Sequence, residues 1–308
     1  MVQVLWQLPS WVAKARFVPA LAFGALSTLG AACSVAPVDY GSDADVGSSV
    51  HALVTVERST IENAAEAPRA AAFAGFVRTP PDVDASAMLR LAGFGLDLPS
   101  VGQCAEPNRE RTGNMRLSPL ARVEFLDAGD VTLRTSSTNA LLATRALPAV
   151  TDLIAGVVYT TRDRAADPLP AAVNYTLSTS GAGVLPAFNV NAGAPPLLTA
   201  VTVAGAPLAE LTNVSAHADI RLSWSRGQSR DLVYVELTTK DGAATTRCTF
   251  KDDAGTGSVP AGAFAGSGIG ELSLHRVHSE PFVSPGSVDA GEVRFDFEQS
   301  ANVEFSDN

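Results

Sequence analysis

The sequence predicts an all-β protein made of antiparallel β-sandwich regions, two of them in the chain. Three observations carry this. Short apolar runs alternate with polar residues at period two over most of residues 50–308, the pattern of strands with one buried and one wet face. Clusters of Gly, Pro, Asn and Asp punctuate the runs, drawing on 25 Gly and 19 Pro. Helical signals are confined to two weak stretches. With 308 residues, 46% of them apolar and 18% charged, the chain has enough apolar material for a packed core and is not expected to be disordered. Its 22 basic and 32 acidic residues leave a net charge of −10. A nucleic-acid partner is disfavoured, because such binding needs a basic surface to replace counterions.

Residues 1–32 contain no Asp or Glu, and Lys14 and Arg16 are their only charges. The apolar stretch 17–32 is shorter than the ~20 residues of a membrane-spanning helix and ends in small residues. A cationic start, an apolar middle and a small-residue end read together as an export signal. Residues 1–13 are apolar and precede the charges, so initiation at Val12 would give a more compact signal. Residues 33–49 are small, acidic and unpatterned. They read as a flexible tether, with at most a loose calcium contact at Asp43 and Asp45.

Residues 50–192 form the first β-rich region. ALVTVE (52–57), AAFAGFVR (71–78), AMLRLAGFG (87–95) and ARVEFLDAG (121–129) alternate as strands. DVTLRT, LIAGVVYTT and AVNYTLSTS follow within 130–180. Two stretches read instead as short helices: 59–74, where Ser59 caps and Glu62 completes a capping box before Pro68, and 138–150. Asp127 and Asp130 flank Ala-Gly in the manner of a hairpin turn with Gly129 left-handed.

A Pro-rich break at 191–200 leads into the second region, 193–308, where the alternation is clearest. Ile220, Leu222 and Trp224 share a face. Val233, Val235 and Leu237 lie opposite Tyr234. Val293, Phe295 and Phe297 lie opposite Glu292, Arg294, Asp296 and Glu298. TTRCTFK, ELSLHRV and NVEF complete a strand set that fits a two-sheet sandwich.

Two resemblances refine this picture. Leu29-Gly30-Ala31-Ala32-Cys33 resembles the lipobox of bacterial lipoproteins, although Gly30 stands where leucine is usual. The resemblance implies acylation of Cys33 and a durable membrane anchor, since several acyl chains on one residue hold where one would not. Ser34, rather than Asp, after the cysteine implies the outer membrane under the enterobacterial sorting rule. The export signal alone is equally compatible with simple secretion. In the second region, the Ile220–Trp224 strand followed by Tyr234 resembles fibronectin type III and other immunoglobulin-like domains, without their Cys–Trp–Cys pattern.

With Cys33 acylated, Cys104 and Cys248 are the remaining thiols. In an oxidising compartment they either pair, closing a loop worth ~4–5 kcal/mol, or stay separate. Catalytic constellations are missing from the sequence. His275 and His278 lie on opposite faces if LSLHRVH is a strand, which defeats a two-histidine metal clamp, and the histidines, His51 and His217 included, are expected at the surface. Gly266-Ser267-Gly268 is a turn without a nucleophile elbow. Asp252 and Asp253 also read as a turn, with too few oxygens for calcium. No cofactor is expected. The sequence therefore points to a non-catalytic binding or structural protein of the cell envelope, with an unknown protein or glycan as ligand. The alternatives are a carbohydrate-active enzyme or carbohydrate-binding module, which needs exposed aromatics such as Trp224, Tyr159, Tyr175 or Tyr234 beside paired carboxylates, and a calcium-dependent adhesive module. The sequons at Asn174 and Asn213 imply nothing if the source is bacterial.

Overall fold

The computed structural model describes residues 47–81, 83–107, 123–150, 154–161 and 169–306. Lys14, Arg16, Cys33, Asp43, Asp45 and the start at Val12 lie outside these residues. The described residues all belong to one compact unit, Ala44–Asn308.

The chain is all-β. In order, the strands are β1 Ser49–Ile61, β2 Arg69–Thr79, β3 Cys104–Ala105, β4 Val123–Phe125, β5 Val131–Arg134, β6 Asn139–Val150, β7 Ile154–Thr160, β8 Asn174–Thr179 and β9 Phe188–Gly193. Then come β10 Thr202–Val203, β11 Ala206–Pro207, β12 Asn213–Ser215, β13 Ile220–Ser223, β14 Leu232–Thr239, β15 Thr245–Lys251, β16 Thr256–Val259, β17 Gly268–Ser284 and β18 Val288–Ser306. A 14-stranded sheet runs β3-β15-β14-β17-β18-β1-β2-β4-β7-β6-β5-β8-β9, with β12 beside β18. A separate four-stranded sheet runs β11-β10-β13-β16. The large sheet is mixed rather than purely antiparallel: β1 and β12 both run parallel to β18, and β4 runs parallel to β7. Such pairs need long connections, not hairpins. Strand alternation reports a wet face but not a strand's neighbour, so the sequence did not reveal them.

Two hydrophobic cores share the long hairpin β17–β18. In the first, Val54, Val56 and Phe76 of β1–β2 and Val293, Phe295 and Phe297 of β18 meet Leu133, Tyr175, Leu177 and Phe188 from β5, β8 and β9. In the second, Val233, Val235, Leu237, Leu272, Leu274, Val303 and Phe305 meet Val203, Ile220, Leu222 and Val259 of the four-stranded sheet. Trp224 joins this second core at 5% exposure. A third, smaller cluster covers the other face of β1–β2, where Leu53 and Val77 meet Met88, Leu89 and Phe94. We call the face carrying the two large cores the inner face and the other the outer face.

The helical expectations are corrected. Residues 59–74 supply the end of β1 and the start of β2, and 138–150 lies almost wholly in β6. Alanine-rich stretches favour helix locally, but pairing between Leu53–Ser59 and Arg69–Gly75 overrides that preference. Conversely, the alternating run at 87–95 is helical: α1 spans Ala85–Leu89 and a π-helical turn continues through Arg90–Phe94. Asp84 caps it by accepting from the N–H of Ser86 at 2.9 Å. This turn places Met88 and Leu89 on the outer side of β1–β2.

Candidate functional site

On the inner face, β17 carries Leu272 and Leu274, then Arg276, His278 and Glu280, and then Phe282. The polar trio forms a seam between the cores. Arg276 is 1% exposed. Its Nη2 donates to Asp252 Oδ1 at 2.9 Å and to the Ser225 carbonyl at 2.6 Å, and its Nη1 donates to the carbonyls of Pro196 and Leu197 at 3.1 and 3.2 Å. Arg276 Nε lies 2.7 Å from Asp252 Oδ2, a charge contact too poorly aligned to be a hydrogen bond. Trp224 Nε1 donates to Asp252 Oδ1 at 3.1 Å. Gly227 packs so close to the Asp252 carboxylate that a Cβ there would collide with it. His278 Nδ1 sits 2.7 Å from Asp231 Oδ1. That hydrogen bond raises the His278 pKa, outweighing the opposing effect of burial.

The seam corrects two expectations. His278 is buried rather than at the surface, and Asp252 is a buried ion-pair partner rather than a turn acid open to calcium. Asp127 does not converge with it. It accepts from the N–H of Gly129 and from the Tyr159 hydroxyl, both at 2.8 Å, in the turn before β5. Gly129 is left-handed, with φ 71°.

The outer face of the same strands is different. Cross-strand register aligns Arg69, Ser59, Glu298, His275, Tyr234 and Thr249 in one row across β2, β1, β18, β17, β14 and β15. Glu57 and Asp296 are opposed in the next row. Thr249 apart, these residues floor a hollow of about 580 Å³ whose lining includes Glu57, Ser59, Arg69, Tyr234, His275, Asp296 and Glu298. The Tyr234 and His275 rings stack at 4.1 Å. Tyr234 donates to Asp296 Oδ2 at 3.0 Å, and His275 Nδ1 lies 2.8 Å from Asp296 Oδ1. Arg247 pairs with Glu236 beside them.

These contacts set the local charge. Burial opposes the imidazolium of His275, but the Asp296 carboxylate prevails and raises its pKa. Burial also pushes the Glu298 carboxyl up to about 7, helped by Glu271 and Asp296 and opposed by His275. Tyr234 is pushed well above the ordinary tyrosine range, first by burial and then by Asp296. His275 Nε2 is 2.9 Å from Ser273 Oγ, so Ser273, His275 and Asp296 are connected in the order of nucleophile, base and orienter. The chain of bonds lacks the rest of such a site. Ser273 is 5% exposed, sits mid-strand and is paired across to Glu236 and Ser300, so its own strand offers no free N–H pair for an oxyanion. What the cluster can do is hold and share protons at the floor of an open groove.

A second hollow, about 250 Å³, lies further along the outer face of β1. Its lining includes Leu53, Leu89, Phe94, Arg90 and Arg294. Gly95 and Leu96 line both hollows. From there the chain runs to the sheet edge, where the Asp97 carbonyl accepts from Arg247, Gly102 donates to the Thr249 carbonyl at 2.7 Å, and Cys104 of β3 is disulfide-bonded to Cys248 of β15.

The alternation in the sequence puts Asp296 and Glu298 on a wet face and Tyr234 opposite the apolar face of its strand, and it gives Arg276 no role. The signal for Arg276 was present: together with His278 it fills an inward slot of a β17 pattern that is otherwise apolar. Among the described residues no cluster of His, Cys, Asp and Glu is arranged to hold a metal ion, and no helix is long and apolar enough to cross a membrane.

No family model matches this chain, and no curated protein does. Of 14 matching solved chains, one is the Fcho1 Mu homology domain of Danio rerio with bound Eps15 peptide. It is 9% identical, covers 84% of this chain and 97% of that one, and has a TM-score of 0.27, too low to carry an argument.

Proposed function

We propose that the chain is an exported cell-envelope lipoprotein, anchored in the outer membrane through acylated Cys33 and a tether ending near residue 49. Its β-body serves a non-catalytic binding role. The observation that carries the export reading is the Cys104–Cys248 bond, with a sequence separation of 144, because such bonds persist in oxidising compartments and are rare in the cytosol. The division into 50–192 and an immunoglobulin-like 193–308 belongs to the same proposal. Its support is the second core, whose buried residues all fall within 198–305, and the packing of the four-stranded sheet on β14, β15, β17 and β18; the first core crosses the boundary, since Val293, Phe295 and Phe297 join it.

The binding surface in this reading is the outer-face groove, which has solvent access and polar groups converging on its floor. The carbohydrate alternatives are less well supported. Trp224, Tyr159, Tyr175 and Tyr234 are all buried, and no aromatic is among the exposed large apolar residues, so the described face offers no sugar-stacking platform. The calcium reading loses its ligands to the Asp252–Arg276 and Asp127–Tyr159 contacts.

Metabolic palmitate labelling tests the anchor. The expected result is a labelled, membrane-associated protein, with label abolished by Cys33→Ala and an unprocessed precursor accumulating under globomycin. An unlabelled protein free in the medium overturns the anchor.

A further inference from the structure

We infer that the free edge of β9 pairs with the same edge of a second copy of this chain, so that the large sheets of the two copies run on into one another across a twofold axis at Val190. This goes beyond the binding role proposed above and depends on neither the anchor nor the outer-face hollows.

The direction of the β9 backbone is the first support. Ala194 N–H donates to the Val173 carbonyl at 2.8 Å, and in the register that pairs Asn174 with Gly193 this turns the even-numbered residues of β9 towards β8. The odd-numbered residues direct their N–H and C=O groups away from the sheet. Gly193 agrees with this, since its N–H reaches outward to the Glu280 carboxylate at 3.3 Å. Asn189 and Asn191 are exposed, and among the described residues β9 pairs with β8 alone. Their two N–H and two C=O groups are a template for one more strand.

The other sheet ends are short or closed by proline. β3 and β11 are two residues long, β11 includes Pro207, and the four-residue β16 runs into Pro260. β9 has six residues, with no proline, no charge and no register shift, so none of the usual devices blunts its edge. Self-complementarity identifies the occupant. In an antiparallel pair centred on Val190, Asn189 of each copy opposes Asn191 of the other, and all four outward groups of each edge find partners. Amide side chain faces amide side chain, and no like charges are brought together. Val190, half-buried against the first core, meets its own counterpart at the close, non-hydrogen-bonded pair. A register centred on Asn191 would need the N–H of Gly193, which Glu280 already holds.

The test uses the full chain carrying Cys33→Ala, which keeps lipid and detergent out of the readout. Light scattering after size exclusion should show a dimer that dissociates on dilution. Asn191→Pro removes an outward N–H and leaves the β8–β9 ladder intact, so it should weaken the dimer at least about tenfold while the melting temperature is retained. Two cysteine variants read the register independently. Val190→Cys places identical residues opposite each other with Cα atoms about 4.5 Å apart, so oxidation by copper phenanthroline should link the two chains. Asn189→Cys sets its counterpart two residues out of register, beyond the roughly 7 Å reach of a disulfide, and should link at least about tenfold more slowly. If Asn191→Pro fails to fold, the cysteine pair decides alone. A monomer up to the highest soluble concentration, a dimer that a folded Asn191→Pro leaves unchanged, or equal cross-linking of the two cysteine variants overturns the inference.

Discussion

The two faces of β17 use the same side-chain chemistry to opposite ends. On the inner face Arg276 and His278 are sealed between two cores, and each charge meets a dedicated partner, Asp252 or Asp231. On the outer face, one residue away, His275 joins Asp296, Tyr234 and Glu298 at the floor of an open groove. The difference teaches that a histidine or carboxylate in a sheet is not informative by type. Whether its neighbours satisfy it completely decides whether it holds the fold or remains available to a ligand.

The comparison can be broken at several points, and the effects should fall in order. The largest concerns the disulfide that ties residues 95–104 across the outer face. Cys104→Ser with Cys248→Ser should cost ~4–5 kcal/mol in urea denaturation, given a closed loop of 144 residues. Next, Arg276→Met leaves Asp252 buried without its cation and should cost about 3–5 kcal/mol, while the paired change Arg276→Met with Asp252→Leu should recover much of that loss. If the single and paired variants lose the same amount, the seam is not a matched charge pair. Gly227→Ala should cost about 1–3 kcal/mol by pressing on the Asp252 carboxylate.

The smallest effect belongs to the outer face. Glu298 has a folded pKa of about 7, above its unfolded value of 4.5, so the folded state binds more protons and stability falls as pH rises between those values. His278 and His275, both raised above 6.5, contribute stability below that value and lose it as pH rises through their folded pKa values. The protein should therefore be more stable near pH 5 than near pH 8. Glu298→Gln should remove the portion of this slope between 4.5 and 7 and stabilise the protein at pH 8. A stability curve that rises from pH 5 to 8 would contradict these assignments.

How much of this was legible in the sequence varied by region. Period two located β13, β14, β15, β17 and β18, because each has one predominantly apolar face, and it placed Ile220, Leu222 and Trp224 in the core. It failed at 87–95, where a strand-like alternation folds as helix, and at 59–74, where helix-forming alanines pair as strands. In both places packing against Leu53 and its neighbours decides the outcome, and local preference does not carry that information. The parallel union of β1 with β18 was invisible for the same reason, since register across more than 200 residues leaves no local mark. His275 and His278 were rightly placed on opposite faces, yet their partners Asp296 and Asp231 lie far along the chain. The groove itself is a product of topology, in which polar faces read as merely wet are brought into one row by register.

The most direct test is a carbon-detected NMR titration of the Glu298 side-chain carboxyl in the full chain. The expected midpoint is near 7. A midpoint near the ordinary glutamate value of about 4.3 would contradict the claim that buried carboxyl groups crowd at the floor of the outer-face hollow.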